Sequence, residues 1–230
     1  MTTKTSRFLA LAVLALVLPA ATGFAAAPES TDDGLVLVQK SKADAVYRRP
    51  GVTFSGYTKV TLLEPLIAFR KDWQAEHNRD NRRDQISDAD MATMIAKGKE
   101  MLKEEFSAVL AKKGYPVVAT GGKDVLGVRV LILELDVAAP DPDNGAGSFN
   151  KVYTESAGSA TLVVELYDST TWQIVARAFD HKVDEGTGRA GFSERDHQTN
   201  VADASYAFYS WAKQLVAGLE RAKKAEQGGK

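Results

Sequence analysis

Apolar and polar positions change period several times along this chain, and each change marks an element. Leu35 to Gln39 is a short apolar run, and Lys59 to Leu63 is a β-rich run closed by Glu64-Pro65, so each reads as a strand. Tyr47-Arg48-Arg49-Pro50-Gly51-Val52 between them carries an extended-then-turn signal. Phe69, Trp73 and the charged stretch His77 to Gln85 read as a linker too polar to be core. A long helix begins at Ser87, whose hydroxyl can cap free amides while Asp90 completes a box-like first turn. Its stripe is Met91, Met94, Ile95, Gly98, Leu102, Phe106, Val109 and Leu110, at the 3.6-residue period, and Gly114 ends it. Gly98 within that stripe implies close approach to a strand, at a cost in helix propensity of about 1 kcal/mol.

Pro116 to Ala119 is a short extended piece, and Val125 to Val137 is the longest β-rich run. The latter is apolar on both faces from Leu131 to Leu135 except at Glu134, which marks a central strand. Ala160 to Asp168 alternates, and Trp172 to Val183 repeats the behaviour after a turn at Ser169, Thr170 and Thr171, so the three runs form an antiparallel meander. A last helix spans about Asn200 to Lys224, with Val201, Ala204, Phe208, Trp211, Leu215 and Leu219 on one face. Two one-faced helices and four or five strands are satisfied most simply by an α+β, two-layer sandwich. The expectation is a mostly antiparallel four- or five-stranded sheet, order β-α-β-β-β-α, with both helices on one side; helices on opposite faces are the alternative.

The N-terminus changes the picture of where this chain works. Lys4 and Arg7 precede the apolar run Phe8 to Leu18, then Pro19 and a small-residue stretch, the pattern of a secretory signal peptide. The run covers 11 residues, short of the roughly 20 that a membrane-crossing helix needs. Cleavage after Ala25 is expected, since cleavage after Ala27 would place Pro28 next. The expected organisation is a signal peptide 1–25, a flexible leader 26–34, one α+β domain 35–219 and a frayed, charged tail 220–230. The 230-residue chain has no cysteine, so it has no acylation site for a lipoprotein anchor and no disulfide. Without Lys4 and Arg7 it carries 27 basic against 30 acidic residues, a formal charge of −3; nothing in that balance points to nucleic acid. The expected location is the periplasm, with no covalent membrane anchor.

Several motifs resemble catalytic or binding signatures without their context. Gly186-Thr187-Gly188-Arg189-Ala190-Gly191 matches G-x-G-x-x-G, but a dinucleotide site needs a second strand with an acidic end after the helix, and only the terminal helix remains. Gly191-Phe192-Ser193 begins like a nucleophile elbow and continues Glu194-Arg195 where Gly is needed. Asp141-Pro142-Asp143-Asn144-Gly145 lacks the sixth-position Gly and twelfth-position Glu of a calcium loop, with Ala146 and Val152 there instead. His77, His181 and His197 have no i, i+4 spacing; a site built from Asp180-His181 and Asp196-His197 across one loop is one reading and solvated loop residues the other. Phe208 and Trp211 read as core, while Tyr206 and Tyr209 point elsewhere and are candidates to line a groove.

Tyr47-Arg48-Arg49-Pro50-Gly51-Val52 followed by Tyr57-Thr58-Lys59-Val60, Ala68-Phe69-Arg70-Lys71-Asp72-Trp73, and Glu165-Leu166-Tyr167-Asp168-Ser169-Thr170-Thr171 resemble the family known as domain of unknown function 3313. The resemblance runs from about Leu35 to Leu219. It implies a Gram-negative envelope location, commonly as a lipoprotein, and supplies no catalytic residue. The chain departs from the pattern in lacking the cysteine to acylate and in having Trp172 where the hairpin turn favours Gly.

These readings predict no enzyme, no cofactor and no metal site. They predict a non-enzymatic envelope interaction module, with an envelope protein as partner and the loops Ala138 to Tyr153 and Asp184 to Asp196 as its surface. The Arg48-Arg49-Pro50-Gly51 turn is expected to be architectural. The alternative is a carrier for a lipid or other hydrophobic ligand held between helices and sheet, suggested by Met91, Met94, Met101 and the aromatic last helix; a cavity beneath the helices would favour it.

Overall fold

The computed structural model describes residues 27–82, 85–137, 152–154, 158–184, 193–195 and 197–228. The segment 1–25 read as a signal peptide, the runs 141–145 and 186–191, and most of the two long loops lie outside the described residues.

The strands are β1 (Val36–Leu37), β2 (Ala45–Arg48), β3 (Lys59–Leu62), β4 (Leu66–Phe69), β5 (Val125–Val137), β6 (Val152–Thr154), β7 (Gly158–Asp168), β8 (Ile174–Asp184) and β9 (Ser193–Arg195). The helices are α1 (Trp73–Asp80), α2 (Asp88–Lys112) and α3 (His197–Gly228). The main sheet has seven strands, β1-β2-β8-β7-β5-β3 with β4 also on β5, and β6 pairs separately with β9. The expected β5-β7-β8 meander is present and antiparallel throughout. The expected sheet size and order are corrected: the sheet is larger and mixed, because β3 and β4 both run parallel to β5. The connection from β4 to β5 carries α1 and α2, the long crossover that parallel neighbours require. β3 and β4 behave as one edge strand interrupted at Glu64-Pro65, each pairing with a different half of β5, since Pro65 has no amide to donate to the ladder.

The linker expected over 69–85 is also corrected. Trp73 is 3% exposed and Ile86 1%. Phe69 packs against the Trp73 ring at 4.5 Å and His77 stacks on that ring at 5.7 Å. The polar residues satisfy main chain here: the Asn78 amide accepts from Ile86 N at 2.8 Å and donates to Ile86 O at 2.8 Å. A polar run can therefore fold against the sheet when its amide side chains replace water around buried peptide groups.

α2 follows the expected boundaries. Ser87 Oγ accepts from Asp90 N at 3.2 Å, Asp90 accepts from Ser87 N at 2.9 Å, and Gly114 takes φ +85° past the helix end. Its buried residues are Leu102, Phe106, Val109 and Leu110, while Met91 and Met94 are only half-buried. α3 buries Phe208, Trp211, Ala212, Val216 and Leu219; Val201, expected on the buried face, is 38% exposed. Both helices join one core cluster with Leu126, Val128, Val130 and Ile132, alternate residues of β5 that share one face. Residues 220–228, read from composition as a frayed tail, are helical.

Candidate functional site

Between α3 and the β2-β8-β7 part of the sheet lies an open groove of about 800 Å³. Alternation places Leu162, Val164 and Leu166 of β7 and Ala176 and Ala178 of β8 on its floor. Tyr209, Gln214, Ala217, Gly218 and Ala222 line the α3 wall, and Lys40 to Ala43 of the β1–β2 connection line the other. Ala217, Gly218 and Ala222 on the α3 wall and Ser41 and Ala43 opposite leave space between them. Tyr206 is 74% exposed at the lip, so the two tyrosines read from sequence as groove candidates do line one. The methionines do not line it.

The C-terminal end of α3 is tied down by a charged clasp. Glu226 accepts from the amides of Phe54 at 2.9 Å and Ser55 at 3.0 Å, from the Ser55 hydroxyl, and from Arg48 at 2.6 Å. Arg48 also reaches Val52 O and covers the Phe54 ring at 4.9 Å. Burial pushes the Glu226 carboxyl up, but these hydrogen bonds and the Arg48 charge outweigh it and hold its pKa below the ordinary glutamate value. Arg49 donates to Ile174 O at 2.8 Å and Asp33 O at 2.9 Å, and Gly51 takes φ +77°. Both arginines of the turn are thus bonded within the chain.

The polar residues around the β7–β8 turn are equally occupied. Asp168 caps the β7–β8 turn by accepting from the amides of Thr170 and Thr171, each at 2.9 Å. Tyr167 donates to Glu165 at 2.6 Å, Glu165 accepts from Arg177 at 3.0 Å, and Arg177 donates to Asp33 at 2.9 Å, all on the sheet face away from the helices. Trp172 has φ +57°, the left-handed conformation that explains why Gly suits this turn. A Cβ on Gly127 would lie 3.2 Å from the Trp172 ring.

Asp180 and His181 are neighbours on β8, so their side chains leave opposite faces: Asp180 is buried beside the groove and His181 is exposed. His77 lies against Trp73, far along the chain's fold in α1. The side chain of His197 lies outside the described residues. Among the described residues no group of three His, Asp or Glu is placed to hold a metal ion. No described helix is long and apolar enough to cross a membrane. Sequence reasoning missed Lys213 and Arg221 as groove residues; their signal is the i, i+4, i+8 line Lys213, Ala217, Arg221 beside the apolar stripe.

The fold and groove define an α+β domain with a mixed seven-stranded sheet, two long packed helices and an open apolar trough under the last one. The chain belongs to the DUF3313 family, "Protein of unknown function", whose profile matches residues 21–215. No curated protein matches the sequence. Among solved structures, it is similar to a PelC dodecamer variant from Paraburkholderia phytofirmans, at 10% identity and TM-score 0.37 over 74% of this chain and 95% of that one. A DUF330 protein from Xanthomonas campestris matches at 13% identity and TM-score 0.37 over 78% and 94%. A DUF4136 protein from Bacteroides thetaiotaomicron matches at 12% identity and TM-score 0.34 over 80% and 98%. Similarities this distant carry no argument about function.

Proposed function

We propose that this chain is a non-enzymatic protein of the cell envelope that binds an apolar ligand in the groove beneath α3. The observation that carries this reading is the groove itself: about 800 Å³ of open space, in the size range of ligand sites, floored by aliphatic side chains on rigid central strands. The export pattern at the N-terminus supports the envelope location. The polar residues of the family motifs are bonded to one another, which supports a structural role for them and leaves the groove as the working surface.

Titration of the chain with the apolar fluorophore N-phenyl-1-naphthylamine tests this. Saturable binding, quenched Trp211 emission and loss of both in Ala178→Leu and Gly218→Leu are expected; a Cβ at Gly218 meets only Arg221, at 3.9 Å, so the added side chain fills the trough. Absence of saturable binding, or undiminished binding by filled variants that melt like the parent, would sink the reading.

A further inference from the structure

The groove is apolar along its floor and one-signed along its rim. Five lining residues with side chains on the groove side, Lys40, Lys42, Arg48, Lys213 and Arg221, are cationic and one, Asp180, is acidic, in a chain with 29 basic and 30 acidic residues overall. Asp180 is 4% exposed and already engaged within the chain. Arg48 is committed to Glu226, and Arg177, whose side chain leaves the opposite face of β8, to Glu165 and Asp33. The remaining four, Lys40 and Lys42 on one bank and Lys213 and Arg221 on the other, are exposed. Lys213 lies over the Tyr209 ring at 5.2 Å, and no described carboxylate forms an ion pair with any of the four.

We infer that the groove takes an anionic amphiphile, a single long acyl chain with an anionic head, and this rests on the apolar-ligand reading above. The lining runs along α3 from Tyr206 to Ala225, about 28 Å at the helical rise. One leaflet's acyl chain spans about 15 Å, half the hydrocarbon thickness of a bilayer, so chain and head fit lengthwise. Ala217, Gly218, Ala222 and Ala225 along α3 leave room for a chain lying lengthwise. Lysine and arginine side chains lay their stems along the apolar wall and keep their charges at the lip. Cations on both banks place positive charge wherever the head emerges.

Three twelve-carbon probes below their micelle concentrations test the inference by displacement of bound N-phenyl-1-naphthylamine: laurate, dodecyltrimethylammonium and 1-monolauroylglycerol. Laurate should bind about tenfold tighter than the cationic probe at low salt, the sum of several modest surface attractions. That preference should shrink at 1 M salt, where the Debye length falls to about 3 Å. Lys213→Glu/Arg221→Glu and, separately, Lys40→Glu/Lys42→Glu should erase or invert the preference, read within each variant as the ratio of laurate to 1-monolauroylglycerol affinity. Equal affinity for the three probes in parent and variants would overturn the anionic assignment and leave the apolar groove standing. Failure of every probe, and of the fluorophore, would remove the apolar reading as well. A dimer in sedimentation that dissociates when Gly218→Leu is introduced would assign the groove to a second copy and also overturn it.

Discussion

The Tyr57 hydroxyl donates to Oδ2 of Asp168 at 3.0 Å, joining the entry to β3 with the β7–β8 turn across 111 positions of sequence. The amide of Thr171 chiefly holds the Asp168 carboxyl down, against some burial, with help from the Thr170 amide and Tyr57; its pKa falls from 3.8 to about 2. Burial, then the Asp168 hydrogen bond and charge, push Tyr57 up to about 12. One bond therefore ties together two of the segments on which the family resemblance rests.

Tyr57→Phe and Asp168→Ala should each destabilise the chain, with a coupling of about 0.5–1.5 kcal/mol in the double-mutant cycle. Asp168 has a depressed folded pKa, so its contribution is full above the unfolded value of 3.8 and is lost as pH falls through about 2. Urea melts at pH 5, 3.5 and 2.5 should show the parent losing more stability than Asp168→Asn over that span. Equal losses would mean the carboxylate charge contributes nothing.

Phe106 is fully buried and Trp211 is 6% exposed in the same cluster. Truncating either to Ala should cost about 3–5 kcal/mol, whereas Val201→Ser, at an exposed position, should stay within about 0.5 kcal/mol. Denaturant midpoints decide it; a Phe106→Ala loss under about 1 kcal/mol would contradict the packing of α2.

Gly98 tests the approach of α2 to β4. A Cβ there would sit 2.9 Å from Ile67 Cδ1, the movable end of a side chain. Gly98→Ala alone should be near neutral, the helix-propensity gain of about 1 kcal/mol offset by displaced Ile67. In an Ile67→Val background, which removes Cδ1, the same change should stabilise. Thermal melts of the four proteins read the coupling, and a Gly98→Ala effect independent of residue 67 would refute the contact.

Glu226→Ala leaves two amides and Arg48 without their acceptor and should cost about 2 kcal/mol. Arg48→Gln should cost less, because the amides of Phe54 and Ser55 still hold Glu226. Hydrogen exchange at those two amides should accelerate in Glu226→Ala. A larger loss from Arg48→Gln would make the cation, not the amides, the anchor of α3.

Several elements were legible because a local signal suffices for them. The Ser87 cap, the α2 stripe and the Gly114 stop lie within single turns, and β5, β7 and β8 are long enough for their alternation to stand out. Gly98 announced a close neighbour by breaking a propensity rule inside an apolar stripe. β2 and β4 were not legible: four residues each, beside arginines or a proline, they become strands only by pairing with β8 and β5. Trp73 looked like linker because its neighbours are polar, and two of them, Gln74 and Asn78, bond to the chain around Ile86 while Trp73 is buried. Tyr206 and Tyr209 were visible as off-stripe aromatics, but the lysines facing them across the groove come from a segment more than 160 positions away in sequence.

The sequence by itself determined the periodic part of this protein: the two long helices and their buried faces, the antiparallel meander and the family. Those follow from spacing within a dozen residues, where sterics and hydrophobic patterning act locally. Only the tertiary structure decided the mixed sheet, the Glu226 clasp and the groove with its cationic rim. Strand pairing, ion pairing and cavities depend on which distant segments meet, and no local period encodes that distance.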